Sequence, residues 1–283
     1  MDLNEVVKQK SLVLLFPGLN GSRLELGQLP KYIEESGFDV AILEILGYEY
    51  GSPASNVENW LEQVNAFLDA KMGLYEHIHL VGISMGATLA SVICSQRSEI
   101  TSLILLSPVL RYDGWSVPWY RPLLEVLWIM GFKDWEYSER EPFGLKNLEL
   151  RRRVKDRFKS SKVSEVGSVS ISSRHLHEAG RLMSLALEEL PRIHSKLLVI
   201  QSVEDDVCSV WSAETILKNV ASDVRRSIWL GNSYHIITID NEREIVLNEV
   251  IRFLDSGIGH EEGVDTYQAR GNIKTLKARG VLK

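Results

Sequence analysis

Apolar residues in this chain fall in short unbroken runs separated by longer amphipathic stretches. Ser11 to Phe16 (SLVLLF), Val40 to Ile45, Ile78 to Val81, Leu103 to Ser107, Lys196 to Gln201 and Ser227 to Leu230 each read as a strand buried on both faces. Between them lie helical periods. Leu24 to Ser36 is amphipathic, with Gly37 placed to end it. Ser55 and Glu58 have capping-box spacing and open a helix whose apolar face is Val57, Trp60, Leu61, Val64, Phe67 and Leu68. Met85 to Cys94 is small and apolar throughout, as in a buried helix. A last helix, from near Asp240 to Gly257, turns Val246, Leu247, Val250, Ile251 and Leu254 inward. Strand alternating with helix predicts an α/β fold, a mostly parallel doubly wound sheet covered on both faces.

The alternation stops at Pro108. From about Leu110 to Leu190 there is no buried-strand run, and Trp115, Trp119, Trp128 and Trp135 crowd together, followed by a basic stretch from Leu150 to Lys159. This reads as a helical cap inserted over the sheet edge. The division expected is a core of residues 1–109 and 191–257, a cap of 110–190 and a tail of 258–283. The tryptophans suit either an acyl pocket or the packing of the cap on the core, since large aromatic rings serve both. The basic stretch reads as a solvated helix face.

Gly82-Ile83-Ser84-Met85-Gly86 joins the strand at Ile78 to the helix at Met85. A strand passing directly into a helix turns sharply, which strains Ser84 and exposes its hydroxyl at the positive end of the helix. Glycines suit positions 82 and 86 because side chains there meet the neighbouring strand and helix. A second Gly-containing loop, Pro17 to Gly21, follows the first strand. It suits either an anion or oxyanion cradle or a plain turn.

Composition narrows the classes. With 283 residues, 45% hydrophobic and 25% charged, one large domain with an insertion is expected. A net charge of −6 offers no basic field for nucleic acid. The two cysteines, Cys94 and Cys208, read as buried small residues rather than a disulfide framework. The start, Met1 to Glu5, lacks the basic-then-apolar pattern of a signal peptide, and no apolar run is long enough to span a bilayer. A soluble, cytoplasmic protein is the expectation.

A serine hydroxyl needs a base within hydrogen-bond reach and a carboxylate to orient that base. In a doubly wound sheet such groups gather beyond the C-terminal strand ends. Of seven histidines only His235 follows a late strand. His77 and His79 sit at the opposite end of theirs, His194 precedes a strand, and His260 lies in the tail. His175 and His177 fall in the cap without a carboxylate or cysteine at metal-ligand spacing. Asp205 and Asp206 both follow the strand ending at Gln201, and either can orient an imidazole.

Serine, aspartate and histidine in that chain order resemble the α/β-hydrolases, in particular the compact bacterial carboxylesterase and monoacylglycerol-lipase group. The stretches that carry the resemblance are Leu15 to Gly21, Gly82 to Gly86, Val203 to Val207 and Ser233 to Asp240. The resemblance implies that Ser84, Asp205 and His235 are catalytic, that the acid is Asp205 rather than Asp206, and that the backbone N–H groups of Leu19 and Met85 form the oxyanion hole. It covers Ser11 to about Gly257, weakest in the cap, and implies a sheet of about six or seven strands. Two positions depart from the family pattern: Pro17 replaces its usual histidine, and Tyr234 replaces the glycine before the catalytic histidine.

The activity implied is hydrolysis of small or medium carboxylic esters, monoacylglycerol-like ones included, with no metal or organic cofactor. Trp115, Trp119, Trp128 and Tyr234 are the candidates for the acyl pocket. Two alternatives stand beside this. A thioesterase or acyltransferase would use the same triad on a carrier protein's acyl group, met by the basic stretch. A non-enzymatic binding protein would keep only the fold.

Overall fold

The computed structural model describes residues 10–49, 51–256 and 264–268. The first strand, β1 (Ser11–Phe16), leads through a short 3₁₀ turn (Arg23–Leu26) to α1 (Leu29–Glu35) and β2 (Asp39–Ile42). Next come α2 (Val57–Lys71), β3 (His77–Ile83), α3 (Met85–Gln96) and β4 (Ile100–Leu106). The stretch that follows carries α4 (Arg121–Ile129), β5 (Glu136–Ser138), α5 (Leu148–Ser160), β6 (Val163–Ser164), β7 (Gly167–Ser168), β8 (Ser170–Ser172) and α6 (Ser173–Glu189). The chain then returns through β9 (Lys196–Ser202), α7 (Trp211–Asn219), β10 (Arg225–Leu230), α8 (Arg243–Ser256) and β11 (Val264–Gln268).

The main sheet has seven strands in the order β11-β10-β9-β4-β3-β1-β2, and every pairing is parallel. Alternate side chains along each strand feed two cores. Leu14, Phe16, Leu80, Leu103, Leu105 and Val199 pack under α2, α3, α6 and α7. Val13, Leu15, Val81, Ile104, Leu198 and Ile228 pack under α1 and α8. Both faces are covered, which is why the strands read as continuous apolar runs.

Several local expectations change. The helix expected over Leu24 to Ser36 is broken at Gly27, whose φ of 55° lies in the left-handed region. The cap of α2 is Asn56, which accepts from the Asn59 N–H at 2.9 Å, while Ser55 donates to the Leu46 carbonyl. The reciprocal capping box lies instead at Ser22 and Glu25, where the same Ser-x-x-Glu spacing occurs. The final helix begins at Arg243, after a turn anchored by Asp240; its expected end, Gly257, lies outside the described residues. Of the tail 258–283 only Val264–Gln268 is described, pairing with β10 where no element is read from the sequence.

The stretch after β4 is not wholly helical. β5 pairs with β8, and β6 with β7, as two short antiparallel ladders. The basic run forms α5, whose Arg153, Lys155, Arg157 and Lys159 face Glu149, Glu141, Glu165 and Asp156. Those four pairs are solvent-exposed, while Arg151 donates to the Leu145 carbonyl. Among the described residues no helix is long and apolar enough to cross a membrane.

One buried histidine ties stability to pH. His79 is fully buried, its Nδ1 lies 2.8 Å from Ser102 Oγ, and Nε2 has no partner. Burial, helped by His77 and Lys196, pushes its pKa down to about 4. The unfolded chain therefore binds a proton that the folded one refuses, and this contribution to stability is lost as pH falls from about 6.5 towards 4. At 1.36 kcal/mol per unit the loss is about 3 kcal/mol. Chemical denaturation of wild type and His79→Gln at pH 7 and pH 4 checks this: the wild type is expected to lose about 3 kcal/mol more than the variant.

Candidate active site

Parallel pairing aligns the C-terminal ends of β1, β3, β9 and β10, and the groups singled out in the sequence lie just past them. Phe16 of β1 sits opposite Gly82 of β3, which sets the Pro17–Gly21 loop beside the Ser84 turn. A Cβ on Gly82 would lie 2.3 Å from the Gly86 carbonyl oxygen, and one on Gly86 would lie 2.3 Å from the carbonyl oxygens of Phe16 and Pro17. Only glycine permits this approach of strand, loop and helix. Ser84 itself has φ 57° and ψ −123°, a strained geometry for a residue with a side chain, and its N–H donates to the Leu106 carbonyl at 2.9 Å. The turn points its hydroxyl into a cleft.

His235 reaches that hydroxyl from the loop after β10. Its Nε2 lies 2.7 Å from Ser84 Oγ, and its Nδ1 lies 2.8 and 3.0 Å from the two oxygens of Asp205. Asp205 also accepts from the N–H groups of Val207 at 2.8 Å and Cys208 at 2.9 Å, and from Gln201 Nε2 at 2.9 Å, so its carboxylate has little freedom. Burial pushes the His235 imidazole down, but the Asp205 carboxylate, with Asp206 and Glu25 behind it, outweighs burial and holds its pKa above the ordinary histidine value. Asp206 faces elsewhere: it accepts from the His235 N–H at 3.3 Å and the Gly144 N–H at 3.2 Å, fastening the histidine loop to the stretch after β4. Burial and the charge of Asp205 push its carboxyl up to about 6.

The loop after β1 is fastened from beneath by a residue that sequence reasoning passed over. Glu25 is buried; it accepts from the Gly18 N–H at 3.0 Å and the Ser22 N–H at 3.1 Å, and Thr238, from the histidine loop, donates to its carbonyl. Burial pushes its carboxyl up to about 7 against those hydrogen bonds. Tyr48 donates to the Pro17 carbonyl at 3.0 Å and accepts at its own carbonyl from the Asn20 N–H at 2.9 Å. Asn20 in turn donates to the Ser170 carbonyl at 2.6 Å. These bonds hold the loop that carries Pro17. The Ser-x-x-Glu signature of Ser22 and Glu25 was the signal that marked this residue.

The cleft has a volume of about 170 Å³, and Ser84, His235, Leu19, Met85 and Glu25 line it. Its outer wall comes from the stretch after β4: Tyr112, Arg121, Tyr137, Glu139, Arg140 and Phe143. None of the four residues expected to form an acyl pocket is part of that lining. Trp115 is 56% exposed, donates to the Glu204 carbonyl at 3.0 Å and meets Tyr234 edge-on at 5.3 Å. Trp119 is 86% exposed. Trp128 stacks on His177 at 4.4 Å and lines a neighbouring groove that shares Arg121, Leu124 and Leu176 with the cleft. Trp115, Trp119 and Tyr234 lie in loops and Trp128 on α4, and clustering in sequence does not say which way loop and helix turn such rings.

Metal chemistry has little support in the donors. Asp205, Cys208 and His235 bring ligand-type atoms within 4.8 Å of one another. The carboxylate and imidazole already satisfy each other, however, and burial, then the Asp205 charge, raises the Cys208 thiol pKa well above its usual value, so the thiol keeps its proton. His175 lies 2.8 Å from Ser172 Oγ while His177 stacks on Trp128, so the pair is not jointly presented to a ligand.

A parallel sheet in this order, a strained serine between strand and helix, and a histidine and aspartate supplied by later strands define an α/β-hydrolase. The chain belongs to the Hydrolase_4 family, serine aminopeptidase S33, whose model matches residues 7–243. It is 21% identical over 252 residues to a thermostable monoacylglycerol lipase of Bacillus sp. (strain H-257), covering 87% of this chain and 91% of the relative. It is 22% identical over 249 residues to a carboxylesterase of Bacillus subtilis (strain 168), covering 86% and 92%. Among solved structures it resembles a soluble variant of monoglyceride lipase from Saccharomyces cerevisiae, with TM-score 0.74 at 13% identity, over 90% of this chain and 89% of the other. That likeness is one of fold.

Proposed function

We propose that the protein is a serine hydrolase of carboxylic esters acting through Ser84, His235 and Asp205. The observation that carries the reading is the continuous line from Ser84 Oγ through the His235 ring to Asp205, at 2.7 and 2.8 Å. In this reading His235 takes the serine proton as Ser84 attacks the acyl carbon, then returns it to the leaving alcohol. A water activated by the same imidazole releases the acid from the acyl-enzyme. The N–H groups of Leu19 and Met85 receive the oxyanion of each tetrahedral intermediate. The named lipase and carboxylesterase relatives support the ester class, and small or medium acyl esters, monoacylglycerols among them, are the substrates to try first. The reading carries the division with it: residues 1–109 and 191–257 supply the catalytic groups, and 110–190 the cap that walls the cleft.

Fluorophosphonate labelling of wild type and Ser84→Ala, with a panel of p-nitrophenyl esters and acyl thioesters from C2 to C16, tests the proposal. Labelling and ester turnover are expected in the wild type only. An unlabelled wild type leaves the binding-protein alternative standing.

Glu25 is a positioning residue in this mechanism, because its carboxylate holds the segment that presents the Leu19 N–H. Glu25→Ala is expected to lower kcat by up to the roughly 10²–10³ that one oxyanion donor contributes, with KM little changed. Steady-state kinetics separates the two parameters. A rise in KM at constant kcat would make Glu25 a substrate contact instead.

A further inference from the structure

We propose that the cleft takes an ester bearing an anionic group, a carboxylate or a phosphate, away from its scissile bond, and that Arg121 and Arg140 bind that group. This rests on the hydrolase reading of the same cleft and names the class of substrate within it.

The two guanidinium groups come from separate segments. Arg121 is the first residue of α4, and Arg140 lies just past β5, yet both line the cleft that holds Ser84. The Tyr137 phenol, which lines it too, feels both charges, with that of Glu139 ahead of them. Most arginines of the described residues lie within hydrogen-bonding reach of a carboxylate or a backbone carbonyl, Arg97, Arg181, Arg226 and Arg151 among them. Arg121 and Arg140 are in no ion pair among the described residues. The contact Arg121 makes is with the Tyr112 ring, 4.4 Å from its centre, and that leaves the fork of N–H donors open.

The acids of the cleft do not fill that role. Glu25 is bound by the Gly18 and Ser22 N–H groups, and Asp206 by those of His235 and Gly144. Glu139 remains; it is exposed at the cleft and makes no ion pair with either arginine among the described residues. The wall around it and then the charge of Asp206 push its carboxyl up to about 7. The guanidinium fork matches carboxylate and phosphate oxygens two at a time, and a neutral acyl chain leaves it unused. Tyr137 adds a phenol at the same place. Arg121 is half-buried at the cleft and Arg140 exposed at it, so an anion there meets two guanidinium forks without an ion-pair partner among the described residues.

The test compares matched esters on the wild type: p-nitrophenyl hydrogen adipate against p-nitrophenyl methyl adipate, and glycerol 3-phosphate monobutyrate against glycerol monobutyrate. A charge-assisted hydrogen bond is worth roughly tenfold to a hundredfold, so one anionic ester is expected to show at least a tenfold higher kcat/KM than its neutral match. The adipate pair reports a carboxylate on the acyl side, and the glycerol pair a phosphate on the alcohol side. The ratio should fall towards one in Arg121→Gln and Arg140→Gln and partly return in Arg121→Lys, with melting temperature recorded for each. Equal rates within both pairs, or a preference that survives both glutamine variants, overturns the proposal. Calorimetry of adipate and inorganic phosphate with Ser84→Ala needs no turnover. Binding that disappears when Arg121→Gln is added supports the site, and failure of both anions to bind overturns it. Loss of labelling and of neutral-ester turnover in the wild type would instead count against the hydrolase reading.

Discussion

Ser84→Ala is expected to lower kcat by roughly four to six orders of magnitude, the loss that removal of a triad nucleophile causes. The stability change should be small, because alanine inherits the same backbone and the hydroxyl makes no contact that holds the fold. Ser84→Gly separates chemistry from strain. At φ 57° and ψ −123° a residue with a Cβ is strained by about 1–3 kcal/mol, which glycine relieves at some cost in unfolded-state entropy. The glycine variant should therefore be as inactive as the alanine variant, yet more stable by on the order of 1 kcal/mol. Ester hydrolysis and denaturant unfolding of both variants give the two readings. A Ser84→Ala enzyme keeping a tenth of wild-type kcat would dismiss Ser84 as nucleophile.

The second large effect divides two neighbouring carboxylates. Asp205→Asn should lower kcat about 10⁴-fold, since an amide in place of the acceptor at His235 Nδ1 favours the tautomer that cannot take the serine proton. Asp206→Asn disturbs the backbone of His235 and Gly144 but leaves the tautomer, so its loss should stay within about 10²-fold, the cost of a misplacement near 1 Å. The pH profile adds a second measure. Because the folded pKa of His235 is raised, activity should fall on the acid side with an apparent pKa above 6.5, and Asp205→Asn should move that limb to lower pH. A larger loss in the Asp206 variant would transfer the acid's role to Asp206.

The sequence by itself determined the parallel, doubly covered sheet, because strands buried on both faces must be apolar along their whole length, as Ser11 to Phe16 and Leu103 to Ser107 are. It also marked Ser84 and His235 as neighbours to be. Glycines that only a close backbone approach requires, and a histidine just past a late strand, are local signals of a shared strand end. Between Asp205 and Asp206 the residues alone left a choice, since adjacent carboxylates differ only in the direction each points; the hydrogen bonds to His235 Nδ1 and to the His235 N–H separate them. The spacing of Ser22 and Glu25 carries a local signal, but the approach of Ile239 to Gly27 and the bond from Thr238 to the Glu25 carbonyl join residues more than 200 apart, which no local pattern carries. The wall of the cleft was decided only by tertiary structure. Trp115 and Trp119 stand outside it while Tyr112, Arg121, Tyr137 and Arg140 stand within. That outcome follows from how two short ladders and α4 pack over the strand ends, where no periodic pattern fixes which side chains face inward.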